Sequence, residues 1–276
     1  IQGLVKYHGM RDPELRLPYH DSISVCTAPT NTTTTVRWLT DVDAEGGAQD
    51  TYRIDGEAVE GRAAERINMV VEHVRELADF DHAVRFESEN SFPPNIGFGS
   101  SSSGFAAAAM ALVEAAGLDM SLPEISTVAR RGSSSAARAV TGAFSHLYAG
   151  LNDEDCRSYR LDSDLEDDLK IVAAHVPSYK ETEEAHREAA ESHMFQARVA
   201  HIPDQIVQLP DRLPQASLER RFKPAAPDSL PLPPAHLNDP PRRVTRPPDT
   251  LCRLYPMRAL SQRLLRFPAT RPPRHT

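Results

Sequence analysis

Between Pro93 and Ala108 the chain reads Pro-Pro-Asn-Ile-Gly-Phe-Gly-Ser-Ser-Ser-Ser-Gly-Phe-Ala-Ala-Ala. Glycines and serines at this density let the backbone approach an anion closely, and they lead straight into an alanine-rich helix. The free N–H groups at a helix start, with the helix dipole behind them, favour phosphate. Asn95, Gly97, Gly99, Ser100, Ser101, Ser102 and Gly104 are therefore the candidate ligands of a nucleotide's phosphates, and the Ser101 hydroxyl is the candidate Mg²⁺ ligand. No Gly-Lys-Ser/Thr closes the segment, so it is not a Walker A loop. Its glycine spacing is not the dinucleotide-binding fingerprint either. The competing explanation is a flexible Ser/Gly linker, but a linker rarely runs into a wholly apolar helix after a Pro-Pro-Asn entry.

A second group of residues supplies cations and hydroxyls. Ser133, Ser134 and Ser135 follow Gly132, and Arg138 lies one helical turn further on. The guanidinium offers a bidentate fork for a carboxylate or phosphate. Lys6 and Tyr7 add a point charge and a phenol near the chain start. His186, His193 and His201 do not make a metal site. The first two are seven residues apart, about 10 Å along a helix, too far for one ion with ligands at about 2 Å. They read as surface or substrate-edge residues, His193 the more interesting.

The elements that must position these groups alternate between strand and helix. Ser24–Ala28 and Thr32–Leu39 are β-branched runs that predict a hairpin. Ile67, Val70, Val71, Val74 and Ala78 recur at helical spacing, so 63–78 is an amphipathic helix with Arg66 on its solvated face. The apolar stretch Phe105–Leu118 reads as a buried helix, and Ala83–Glu87 as a strand. Ser121-Leu-Pro-Glu124 is a capping box opening a helix to about Arg131. Lys170–Val176 is a strand and Thr182–Ile202 a long polar helix. The mixture is α+β.

Composition changes sharply along the chain. Residues 203–276 carry 13 Lys and Arg against 6 Asp and Glu, hold 16 of the 23 prolines, and contain no glycine. The preceding residues have a balance of −15, which argues against nucleic acid as the main partner and suits solubility at high salt. No run approaches the roughly 20 apolar residues of a membrane span. Cys26, Cys156 and Cys252 fit neither a disulfide framework nor a metal site, which points to a reducing cytoplasm.

The loop from Pro93 resembles the nucleotide loop of the GHMP kinases. Three more blocks narrow the resemblance. Val5-Lys-Tyr-His-Gly-Met-Arg-Asp12 and Leu17-Pro-Tyr-His-Asp-Ser-Ile-Ser-Val25 are similar to signatures of the diphosphomevalonate decarboxylases. So are Ala129-Arg-Arg-Gly-Ser-Ser-Ser-Ala-Ala-Arg138 and, more distantly, Ser192-His-Met-Phe195. The resemblance implies a GHMP-kinase fold, α+β. Residues 1–165 would form the ATP-binding domain, and 166–202 would begin a ferredoxin-like C-terminal domain, with 203–276 aberrant or disordered. It implies ATP and Mg²⁺ as cofactors, a homodimer, and decarboxylation of a phosphorylated mevalonate to an isopentenyl phosphate. The reaction would proceed by phosphorylation of the 3-hydroxyl and loss of phosphate and CO₂. Lys6 and Arg138 would be the catalytic residues. Tyr7, His8, Gly9, Met10, Ser133, Ser134, Ser135, Arg138 and Ser192 would contact the substrate. Arg66 aligns loosely with a substrate-contacting arginine. A GHMP kinase that stops after phosphoryl transfer and a catalytically inactive binding protein are the alternatives.

Two positions depart from the family pattern. Its second lysine is Met10 here and its tryptophan is His8. A lost cation favours a substrate with less phosphate charge, mevalonate 5-phosphate, unless Arg11 restores the charge. The family's catalytic aspartate lies in an Asp-x-Gly loop near the C-terminus, and this chain has no glycine after Gly150. Scattered in-register matches such as Asp228-Ser-Leu suggest a sequence error in this stretch, with the true product extending further and restoring that loop.

Overall fold

A computed structural model describes residues 1–27, 30–40, 48–93, 99–163, 165, 169, 171–173, 182–212 and 252–253. The expected ligands Asn95 and Gly97 lie outside these residues, as does most of the segment from 203. Two four-stranded sheets form the frame. The first has the order β1 (Gln2–Val5), β4 (Ser22–Val25), β9 (Phe144–Leu147), β10 (Ser158–Leu161), every pair antiparallel. Between β1 and β4 lies a small hairpin, β2 (Met10–Asp12) with β3 (Leu17–Pro18). The second sheet has the order β5 (Thr32–Leu39), β8 (Ala83–Asn90), β6 (Thr51–Ile54), β7 (Glu57–Ala58), with β6 parallel to β8.

The hairpin predicted from Ser24–Ala28 and Thr32–Leu39 does not form. Strand β4 pairs with β1 and β9, whereas β5 pairs along its whole length with β8. The burial patterns give the reason. Every residue of β4 is buried, as befits a central strand covered on both faces, while β5 alternates with period 2 at a half-exposed sheet.

Helix α2 (Ser100–Ala115) packs on β5 and β8 of the second sheet, with α1 (Gly61–Ala78) beside it, while α3 (Leu122–Gly132) and α4 (Ser134–Thr141) pack against α2 and against β10 of the first sheet, α4 also against β9. Ile67, Val70, Val71 and Val74 of α1 meet Val84 and Phe86 of β8, and Ala109 and Leu112 of α2 close the core. The α1 stripe thus buries the residues its periodicity selects. Helix α3 starts with the expected capping box, the Ser121 N–H donating to Glu124 Oε2 at 2.8 Å. The long polar helix expected at Thr182–Ile202 is two helices, α5 (Thr182–Glu191) and α6 (Phe195–Arg212), broken at residues 192–194. The break places Ile202 and Ile206 of α6 against Leu4, Val5 and Ile23 of the first sheet. A short ladder, β11 (Val172–Ala173) with β12 (Cys252–Arg253), joins the chain's two ends of the later half. Among the described residues, no helix is long and apolar enough to cross a membrane.

Candidate functional site

The chain leaves β1 at Val5 and brings Tyr7 to the start of the β2–β3 hairpin. Tyr7 is buried, and the Arg138 guanidinium lies 5.2 Å from its ring centroid. Arg138 itself is 2 % exposed and donates to Ser22 Oγ from Nη1. Its Nε is buried and donates to no protein acceptor, and no carboxylate pairs with it among the described residues. Burial lowers its pKa to about 10, so it is still a cation at neutral pH. A buried guanidinium with one N–H donor unused is costly without an anionic ligand. It is therefore a strong mark of an anion site among the described residues.

Helices α3 and α4 meet at Ser133, which caps the end of one and the start of the other. This kink presents three buried or half-buried hydroxyls. Ser133 Oγ lies 3.0 Å from Ser135 Oγ, and Ser135 Oγ shares a short hydrogen bond with Ser102 Oγ of α2. A chain of hydroxyls therefore links the helix after the phosphate loop to the helix bearing Arg138. Ser134 Oγ turns the other way and donates to the Arg16 carbonyl at 2.6 Å, with Met10 Sδ 4.0 Å away.

At the start of α2, Gly99 has φ 73° and its carbonyl accepts the Ser102 and Ser103 N–H groups. A Cβ there would lie 3.3 Å from Ser102 Oγ, and a left-handed backbone disfavours any side chain. Ser100, Ser101 and Gly104 lie half-buried in the first turns. Backbone donors, hydroxyls and absent side chains are the donor set that nucleotide phosphates require. These residues fit such a group.

The other side of the site comes from the α5–α6 break. His186, expected at the surface or at the substrate's edge, is buried. It stacks on Tyr7 with ring centroids 5.1 Å apart, and its Nδ1 accepts the Gly9 N–H at 3.2 Å. A Cβ on Gly9, φ 72°, would fall 2.9 Å from Phe195 Cζ. Arg198 donates to the Lys6 carbonyl at 3.0 Å. Lys6 itself is exposed, and so is His193. Ser192 is half-buried, its hydroxyl donating to the Ala189 carbonyl at 2.8 Å. His8 is lowered to about 2 by burial and by the neighbouring Lys6, Arg198, His186 and His20, which keeps it neutral.

Arg66 does not lie on a solvated face. Its Nε and Nη2 donate to the Gly132 carbonyl at 3.2 and 2.5 Å, and its guanidinium sits 4.8 Å from the Phe105 centroid. Burial and then the charges of Arg16 and Arg62 lower its pKa to about 10. Arg16 is lowered in the same way, by burial and by Arg62, with Tyr7 opposing. Guanidinium groups are thus gathered near one phenol. Arg11 cannot replace the missing lysine. Its nitrogens bond the carbonyls of Pro18, Ala149, Gly150 and Leu151. Sequence pattern did not single out Arg16 or Ser22, though Ser22 lies within the Leu17–Val25 block; it named Arg66 and His186 without placing them beside Tyr7 and Gly132.

Gly132 joins these parts. A Cβ there would lie 2.0 Å from Phe105 Cδ1, the ring that carries Arg66. Gly132→Ala should cost about 1–3 kcal/mol by overpacking and separate α2 from the α3–α4 kink. A melting curve checks it; an unchanged midpoint would mean that the ring swings aside freely.

A family model described as the diphosphomevalonate decarboxylase-like N-terminal domain matches residues 1–158. A phosphomevalonate decarboxylase of Haloferax volcanii is 64% identical over 260 residues, 94% of this chain and 79% of that protein. A crystal structure of mevalonate diphosphate decarboxylase from Staphylococcus aureus is 28% identical, with a TM-score of 0.74, covering 82% of this chain and 70% of that one. A further structure, solved in complex with MVAPP, AMPPCP and magnesium, is 26% identical with a TM-score of 0.73 over 82% of this chain and 70% of that one.

Proposed function

From the premise that the chain belongs to the diphosphomevalonate decarboxylase-like family, we propose that it decarboxylates mevalonate 5-phosphate in an ATP- and Mg²⁺-dependent reaction, as a cytoplasmic homodimer. The observation that carries this is Arg138, a buried cation whose Nε has no acceptor and which has no carboxylate partner among the described residues. Its fork suits the substrate's carboxylate. ATP with Mg²⁺, when bound, would supply the phosphoryl group that turns the 3-hydroxyl into a leaving group. The start of α2, with Gly99 and Ser100 to Ser102, would hold the nucleotide's phosphates. The linked hydroxyls of Ser102, Ser135 and Ser133 would keep the two ligands in register. Arg138 would hold the carboxylate, and the Tyr7 ring beside it would exclude water and favour a group that departs as neutral CO₂.

Three observations favour the single phosphate. Met10 is apolar, Arg11 is occupied by carbonyls, and the Haloferax volcanii relative is a phosphomevalonate decarboxylase. That relative's match of 260 residues must also run past residue 202. The match therefore includes part of the proline-rich segment.

Turnover of the two phosphorylated mevalonates tests the proposal. CO₂ release with the 5-phosphate should exceed that with the 5-diphosphate by about 10-fold or more, the worth of one lost charge contact. Preference for the diphosphate would sink the substrate assignment, and ADP formation without CO₂ would make the chain a kinase. A second reading is a binding protein without activity. Tight binding without turnover would select it.

A further inference from the structure

We propose that Ser22 is the positioning residue for Arg138, its hydroxyl fixing the guanidinium in the orientation that receives the substrate's carboxylate. The inference rests on the function proposed above. It starts from the two faces of the first sheet. Opposed residues of paired strands share a face, and so do residues two apart along one strand. Ile23, Val25 and Phe144 therefore lie on one face, packed with Leu4 and Ile202. Ser22 and Ser24 of β4, Ser145 and Leu147 of β9, and Ser158 of β10 lie on the other. These serines are fully buried. A buried hydroxyl is unfavourable unless it is hydrogen-bonded, so a serine-rich face inside the molecule calls for partners.

Helix α4 supplies them. Its Ala137 packs with Leu147. Arg138 and Thr141, one turn apart on the same side of the helix, each reach a serine. Thr141 Oγ1 lies 2.8 Å from Ser158 Oγ, and Arg138 Nη1 donates to Ser22 Oγ. Ser24 and Ser145, on the same face, have no hydrogen-bond partner among the described residues. The two bonds differ in kind. One joins neutral hydroxyls and holds the helix on the sheet; the other holds a cation. A guanidinium is a rigid plane, so pinning one nitrogen sets where its other N–H groups point. With Nη1 on Ser22 and the Tyr7 ring centroid 5.2 Å away, Nε is left without an acceptor. The anchor itself has little freedom. Strand β4 is paired on both sides, with β1 and β9. Asp21, just before Ser22, accepts the Ala149 N–H at 2.8 Å and lies 2.9 Å from His146 Nε2. A group set on a central strand keeps its place more closely than one on a loop.

Steady-state CO₂ release from mevalonate 5-phosphate, read beside thermal melts, tests this in the wild type, Ser22→Ala, Ser22→Thr and Ser158→Ala. Ser22→Ala should lower kcat/KM about 10- to 100-fold, the worth of a hydrogen bond to a charged group. Ser22→Thr keeps the hydroxyl and should recover most of that loss. Ser158→Ala removes an equally buried hydroxyl beneath the same helix, so it should lower the melting temperature and leave kcat/KM within about twofold. Beside Arg138→Met, Ser22→Ala should change kcat/KM by less than about twofold, because a residue that acts through another has no effect once the other is gone. A Ser22→Ala protein within about twofold of wild type overturns the proposal. So does an equal loss of activity in Ser158→Ala, an undiminished effect beside Arg138→Met, or a threonine variant that melts like the wild type yet is as impaired as the alanine one. Should Ser22→Ala not fold, Ser22→Cys takes its place, the thiol being close in size and a weak acceptor. It should lose at least about 5-fold in kcat/KM, and full activity would overturn the proposal. A wild type that releases no CO₂ from either phosphorylated mevalonate refutes the functional proposal itself, and the role of Ser22 falls with it.

Discussion

Arg138→Met should lower kcat/KM by about 10³-fold while leaving the melting temperature unchanged or raised. The magnitude is that of removing one preorganised charged donor from a water-excluded site. The sign on stability follows from the site. Arg138 is 2 % exposed, has no carboxylate partner among the described residues, and leaves its Nε without an acceptor. Its only compensations there are one hydrogen bond to Ser22 and the face of Tyr7. Desolvation therefore outweighs what the folded protein returns, and an apolar side chain of similar length removes that cost. A structural arginine would behave the other way, losing stability first. Arg138→Lys separates charge from geometry. It should recover part of the activity, because an ammonium keeps the charge but cannot make the two-point contact. Steady-state kinetics beside a thermal melt read both signs in one preparation. A stable variant with full activity would remove Arg138 from the site.

How much of this was legible in the sequence depends on whether a signal was local. The α1 stripe and the Ser121–Glu124 capping box were, because helical spacing and an N-cap are set within a few residues. The nearness of Tyr7 to Arg138 came from recognising separated blocks, not from any local pattern, and the structure brings those blocks to 5.2 Å. Strand pairing was not local. Two neighbouring β-branched runs imitate a hairpin, and only the continuous burial of Ser22–Val25 against the alternation of Thr32–Leu39 tells a central strand from a sheet face. The packing of Arg66 and His186 was not legible for one reason. Periodicity finds the apolar face of a helix but not what later docks on its polar face, and here the Gly132 carbonyl and the Tyr7 ring did so. The catalytic aspartate stays unassigned because no Asp-x-Gly loop occurs in the chain.

Arg130→Ala, eight residues before Arg138 in the same block, should have the opposite signature. Arg130 is fully buried, and every nitrogen is used. Nε donates to the Cys156 carbonyl at 3.2 Å, Nη1 to the Leu15 carbonyl, and Nη2 to the Asp153 carbonyl at 2.9 Å and to Asp153 Oδ1. Removing it leaves three carbonyls without that donor and half of an ion pair behind. For a buried pair broken from one side the cost is about 3–5 kcal/mol. Asp153 is partly exposed and keeps Arg131, so the lower end, about 3 kcal/mol, applies. That is a large part of the roughly 5–15 kcal/mol holding a domain together. The β2–β3 hairpin would also lose an anchor, so substrate affinity should fall along with the melting temperature. Acid provides an independent check. Burial opposes ionisation of Asp153, but the Arg130 hydrogen bond and the charges of Arg130 and Arg131 hold its pKa below the usual carboxylate value. A carboxylate depressed in the folded state stabilises fully above its unfolded pKa of about 3.9, and loses that contribution as pH falls through the folded value. The gap in melting temperature between wild type and Arg130→Ala should therefore be widest at neutral pH and narrow below about pH 4. A gap that stays constant down to the acid limit would mean that Arg130 acts through packing and its carbonyl bonds alone, without its charge on Asp153.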